Sequence, residues 1–157
     1  MDGFLGSLFG LITTIIVSTA PAVAIDPALP KLDEFLQSKS SPLPASELIQ
    51  YPNWQIIVAL SAAESGYGKH LAGDYNAWGI KDFRSGSYNF GGTRDFSSWE
   101  ESVKFTSDLL YKYDEDGTPN PREMVSKWKC VLPYKHWVNN VSYSLWDIER
   151  KVLSQII

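Results

Sequence analysis

The stretch Asn53-Trp54-Gln55-Ile56-Ile57-Val58-Ala59-Leu60-Ser61-Ala62-Ala63-Glu64-Ser65-Gly66-Tyr67-Gly68 decides how the chain is read. Its apolar run has helical spacing, and Ile57, Leu60 and Glu64 fall at i, i+3 and i+7, on one helix face. A carboxylate therefore stands on the stripe expected to be buried. Asn53 is a candidate N-cap, and Gly66 and Gly68 can end the helix. Glu64 is thus expected in the last turn of a core helix, beside a loop where a cleft can open. Burial penalises the charged form of a carboxyl group, and the negative end of the helix dipole acts in the same direction. A carboxyl that keeps its proton is what a general acid needs to protonate a leaving oxygen. The competing reading makes Glu64 a structural group that caps a neighbouring element or pairs with Lys69 or Lys81.

Working outward, Glu64-Ser65-Gly66-Tyr67-Gly68-Lys69-His70-Leu71-Ala72 is followed by Tyr75-Asn76-Ala77-Trp78-Gly79-Ile80-Lys81. Together these resemble the signature of bacterial glucosaminidases and related peptidoglycan-cleaving enzymes of the lysozyme-like superfamily. There a helix ends in Glu-Ser-Gly/Ser-x-Gly, and a segment of the type Asn-Asn/Ala-Leu/Trp-Phe/Gly-Gly-Ile-Lys follows. Phe96-Ser97-Ser98-Trp99-Glu100-Glu101-Ser102-Val103 is similar to the family's lead into its next helix. Phe35-Leu36, followed by Ser41-Pro42-Leu43, is similar to the approach to the catalytic helix in some members. The resemblance runs from Leu32 to Ile148.

The resemblance implies a mainly α, lysozyme-like (α+β) domain. A helical bundle would surround the catalytic helix, and a small β-hairpin or irregular lobe would form one wall of a glycan cleft. It implies cleavage of the β-1,4 GlcNAc/MurNAc backbone of peptidoglycan with Glu64 as the acid, without cofactor or metal. Around Glu64, side-chain chemistry nominates substrate contacts. Asn76 suits N-acetyl or hydroxyl groups, Trp78 offers a stacking face, and Lys81, Ser65, Tyr67 and Tyr88 are further candidates. Their structural alternatives are a turn held by Asn76, a core filled by Trp78, a solvated Lys81 and a helix end capped by Ser65. Trp137, with Val141 four residues on, stands where related enzymes carry an aromatic residue, often tyrosine, near the acid. An indole lacks that hydroxyl, and Tyr143 is the candidate substitute.

Composition bounds the class. The chain has 157 residues, 44% hydrophobic and 20% charged, which suits one folded domain. A net charge of -4 argues against a nucleic-acid partner, and as a sum gives no attraction to anionic membranes or wall polymers. Six tryptophans can fill a core or line a sugar cleft. The one cysteine, Cys130, has no intrachain disulfide partner and reads as a small buried residue. His70 and His136 complete no catalytic triad, and no Cys/His set has metal-ligand spacing.

Read in order, residues 1–24 suggest a signal peptide or membrane anchor. Phe4–Ala24 is an apolar run ending in Ala22-Val23-Ala24, a small-residue cleavage pattern, although the basic n-region is missing. Residues 25–31, with Pro27 and Pro30, read as a linker, and 32–157 as the catalytic domain, expected to act as a monomer. Residues 82–96, rich in Gly, Ser and aromatics, read as the hairpin or irregular lobe. It holds Asp82 and Asp95, candidates for a second carboxylate, with turn duty as the alternative for each. Ser97-x-x-Glu100 and Ser98-x-x-Glu101 both fit a capping box opening a helix from Trp99 to Tyr113. Asn120-Pro121 opens a short helix ending near Trp128. Trp137, Val141, Leu145, Ile148 and Val152 stripe the last one, from His136 towards Ile157.

Two outcomes follow from an acid at Glu64. If water attacks, the enzyme is a hydrolase and needs a second carboxylate or the sugar's acetamido group. If the sugar's 6-hydroxyl attacks, it is a lytic transglycosylase. A non-catalytic glycan-binding protein of the same fold is the rival of another class.

Overall fold

The computed structural model describes residues 26–129 and 132–156. The N-terminal segment 1–24 and Cys130 lie outside them. The described chain is mainly helical, with no strand, and no helix in it is long and apolar enough to cross a membrane. Its helices are α1 (Ala28–Ser38), α2 (Ala45–Leu48), α3 (Trp54–Ser65), α4 (Trp99–Leu110), α5 (Pro121–Trp128) and α6 (Lys135–Lys151). A 3-10 turn at Leu153–Gln155 follows.

α3 is the helix that the others cover. It is apolar on almost every side, and Ile56 to Ser61 are all buried. A helix of that kind is stable only when wrapped. α6 packs along it most extensively, and α2 and α4 also contact it. Val141 and Ile148 of α6, Val103 and Leu110 of α4, and Leu32 and Leu36 of α1 complete the core. Each large side chain so buried contributes roughly 1.5–3 kcal/mol. Gly66 ends α3 in the left-handed conformation (φ +60°), and its N–H bonds back to Ala62 O.

Local details depart from the sequence pattern. α1 starts at Ala28, so residues 28–31, read as linker, are helical. Pro30 is tolerated there because the first turn leaves its N–H positions unpaired in any case. Asn53 precedes α3 but makes no cap bond. Its amide instead donates to Ser107 O and Gly117 O and accepts from Ser107 Oγ. At α4 the capping pair is Ser98 and Glu101. Ser98 Oγ accepts from Glu101 N at 3.1 Å, while the Glu101 carboxylate reaches past the cap to Ser97 N. α4 stops at Leu110, short of Tyr113, and α6 stops at Lys151. Asn120 caps α5 through Arg122 N at 2.9 Å, with Pro121 at its first position.

Between α3 and α4 the chain forms an irregular lobe. A single antiparallel bridge, Lys81 with Thr93, is its only sheet-like pairing among the described residues, so no β-hairpin forms. Arg94 N to Ile80 O, Asp82 N to Gly92 O and Phe96 N to Asp74 O tie its two limbs together. On the far side of the core, Asp147 of α6 is buried and paired with Lys39 (2.8 Å) and Lys151 (2.9 Å). Burial pushes its carboxyl up, but the two ammonium groups outweigh this and hold it below the usual range.

Candidate active site

Glu64 occupies the last turn of α3, and its side chain is 11% exposed. The expected apolar surroundings are replaced by three donors from the C-terminal third of the chain. The Trp137 indole N–H donates to Oε1 at 2.6 Å and the Trp128 N–H to the same oxygen at 2.9 Å. Lys129 Nζ stands 3.4 Å from Oε2. Glu64 is thus paired, but with Lys129 rather than with Lys69 or Lys81. Trp137 lies in the first turn of α6, Trp128 closes α5, and Lys129 is the α5 C-cap.

The two oxygens are not equivalent. Oε1 receives two N–H bonds and has no capacity left for a proton of its own. Oε2 has the Lys129 ammonium as its neighbour. That oxygen faces Gly79, where a Cβ would lie 3.8 Å away. Gly79 has φ +65°, a conformation that side chains disfavour.

A cleft of about 540 Å³ opens beside this point, between the lobe, the end of α4 and the end of α5. Gly79 and Trp128, both neighbours of Glu64, line it, whereas Glu64 itself stands behind them. The lobe bank supplies Lys81, Phe83, Arg84 and Arg94, and the helical bank Phe105, Leu109, Lys112 and Lys127.

The other nominated residues divide sharply. Lys81 is exposed on the cleft wall. Asn76 is buried and uses its whole amide inside the lobe. It donates to Ile80 O (2.9 Å) and Arg94 O (2.7 Å), and accepts from Trp78 N and Ile80 N. It holds a turn and has no group left for substrate. Trp78 is 1% exposed, edge-on to Trp99, with its N–H on Ile57 O; it backs the cleft but offers no free stacking face. Ser65 is buried between Ala77 O, Ser61 O and Gly68 N, and joins the end of α3 to the lobe.

Tyr67 packs away from the cleft, edge-on to Phe35 and bonded to Ser144 of α6. Tyr88 is 92% exposed on the lobe and lines no part of the cleft; its hydroxyl donates to Asp95 Oδ2. Tyr143 is exposed against Trp146 and is not among the donors to Glu64. Trp137 is buried, so it is no stacking surface. Its indole N–H is instead spent on Glu64 Oε1.

Both candidate second carboxylates are engaged in the lobe. Asp82 is buried and accepts a fork from Arg84 (Nε 2.8 Å, Nη2 2.7 Å) and the Ser87 hydroxyl at 2.5 Å. The Arg84 fork, with Ser87, holds its carboxyl well below the usual carboxylate range. Asp95 accepts Asp74 N and the Tyr88 hydroxyl. Each is doing turn duty. Among the described residues, no cluster of three His, Cys, Asp or Glu side chains is placed to hold a metal ion.

Trp128 and Lys129 were not nominated from the sequence. They lie 64 and 65 residues from Glu64, and no local pattern marks them as its partners. Comparison with known proteins finds no family model, curated protein or solved structure that matches this chain.

Proposed function

We propose that the protein is a peptidoglycan glycosidase of lysozyme-like type, N-acetylglucosaminidase-like in its bond cleavage, with Glu64 as general acid. The observation that supports this most directly is the asymmetry of the Glu64 carboxyl. Two indole N–H groups anchor Oε1, and Oε2 is left facing Gly79, which itself lines the cleft. A fixed oxygen and a presentable one are what proton delivery to a glycosidic oxygen requires. Once the proton has left, Lys129 and the two indoles stabilise the carboxylate that remains. The protein works outside the cytoplasm, exported through residues 1–24.

A second reading, lytic transglycosylation, is favoured by the state of Asp82 and Asp95. Both spend their oxygens within the lobe, so neither is poised to activate water. The nucleophile then comes from the sugar itself, as its acetamido group in a hydrolase or its 6-hydroxyl in a transglycosylase. Digestion of purified peptidoglycan by the full chain, wild type beside Glu64→Gln, tests the proposal, with products identified by mass spectrometry. Reducing-end sugars from wild type alone support the hydrolase, and anhydro-sugars the transglycosylase. Strand binding without products from folded wild type would replace both with a glycan-binding protein.

A further inference from the structure

The charge of the cleft runs against the charge of the chain. The sequence sums to -4, yet the cleft lining carries Lys81, Arg84, Arg94, Lys112 and Lys127 and no carboxylate. Two of these cations are answered from behind the wall, Arg84 by Asp82 at 2.7 Å and Arg94 by Glu101 at 3.1 Å. Lys81 and Lys112 enter no ion pair among the described residues. They stand on opposite banks, Lys81 on the lobe and Lys112 just beyond α4. Apolar side chains lie between them, including Phe105, Leu109 and the 69%-exposed Phe83. Low-dielectric walls focus the field of the cations into the groove, so the local sign matters more to a ligand than the net charge.

Resting on the glycosidase reading, we propose that this cleft selects glycan strands bearing carboxylate groups over neutral amino-sugar chains, with Lys81 and Lys112 as the discriminating charges. A strand lying along the groove would place its sugar rings on the apolar floor and its acidic substituents towards the two banks. A cell-wall strand has two sources of such carboxylates: the stem peptides, or the lactyl groups freed when those peptides are removed. The chemistry at the lysines is the same for both.

The test uses the full chain carrying Glu64→Gln, which separates binding from cleavage. Three probes are titrated: a neutral N-acetylglucosamine oligomer, a denuded strand with free lactyl carboxylates, and a strand retaining its stem peptides. The expected result is tighter binding of one or both acidic strands, with an advantage that shrinks as salt rises. Adding Lys81→Glu and Lys112→Glu lowers that advantage about tenfold. The single Lys81→Gln and Lys112→Gln changes, at exposed positions, guard against a double variant that fails to fold. The tighter acidic probe identifies the carboxylate source. Equal affinity for all three probes, or a preference that survives loss of both lysines, overturns the inference. Wild-type cleavage is read separately. Cleavage without the preference sinks this inference and leaves the glycosidase reading. The preference without cleavage sinks the glycosidase reading and leaves a carboxylate-binding groove.

Discussion

Trp137 and Glu64, 73 residues apart in sequence, meet in a 2.6 Å hydrogen bond from the indole N–H to Oε1. Replacing Trp137 with Phe keeps an aromatic ring but removes the donor. Removing a donor from a buried carboxyl oxygen costs about 1–3 kcal/mol, and the smaller ring adds a packing loss. Trp137→Phe is expected to destabilise the fold by roughly 2–4 kcal/mol in urea unfolding and to lower glycan cleavage. Trp128→Phe leaves Trp137 in place and costs less. The double variant is expected to depart from the sum of the two, because both donors share one oxygen.

Gly79 faces Oε2 with φ +65°. Gly79→Ala should cost about 1–2 kcal/mol for the left-handed backbone and also set a methyl group in van der Waals contact with Oε2, in the space a substrate oxygen would use. Gly86→Ala is the matched control, since Gly86 has φ +78° and open space around it. The two variants are expected to lose similar stability, with cleavage falling only for Gly79→Ala. Equal activities would show that Oε2 is not approached from this side.

Asn76 satisfies four backbone groups of the lobe with one amide. Asn76→Ala leaves buried N–H and C=O groups unpaired, at a cost of roughly 2–4 kcal/mol. Amide exchange should show the loss first at Trp78 and Ile80, whose N–H groups the Asn76 oxygen receives. Asn76→Asp keeps the acceptor but not the donors, and recovers protection only at those two amides.

The lobe carries a pH signature through Asp82. Its folded-state value is depressed by Arg84 and Ser87, so the folded protein holds fewer protons than the unfolded chain in the acid range. Its stabilising contribution is therefore complete above the ordinary carboxylate range, near pH 4. It declines as the pH falls below that range towards the depressed folded value. Urea titrations across that window are expected to show wild type more stable than Asp82→Asn at neutral pH, with the gap closing on acidification. Glu101, lowered chiefly by the Ser97 backbone and hydroxyl, and Asp147 shift in the same direction.

What the sequence could disclose followed the range of its signals. The α3 apolar run, the stop at Gly66, and the caps at Ser98 and Asn120 act over a few residues, and all are where local rules place them, although α3 is buried all round rather than on one stripe. Asn53 and Asn76 show the limit. Each is a polar residue beside a turn, and only the fold decides whether its amide caps a helix, contacts a ligand or ties distant backbone together. The same limit hid Trp128 and Lys129. Nothing within a helical turn of either points to Glu64, and the end of α5 meets α3 only through tertiary packing. Tyr67 and Tyr88 have side chains suited to lining a cleft, but the reversal at Gly66 and the reach of the lobe carry both away from it.

Both indoles that secure Glu64 come from beyond residue 120, whereas the acid and its lobe precede residue 100. Chains emerge from the ribosome N-terminus first. A nascent chain that has produced α3, the lobe and α4 already contains its acid, but neither group that fixes the acid's orientation. Orientation of Glu64 consequently waits for the chain beyond residue 120. A copy truncated before α5 holds Glu64 without the indoles that orient it.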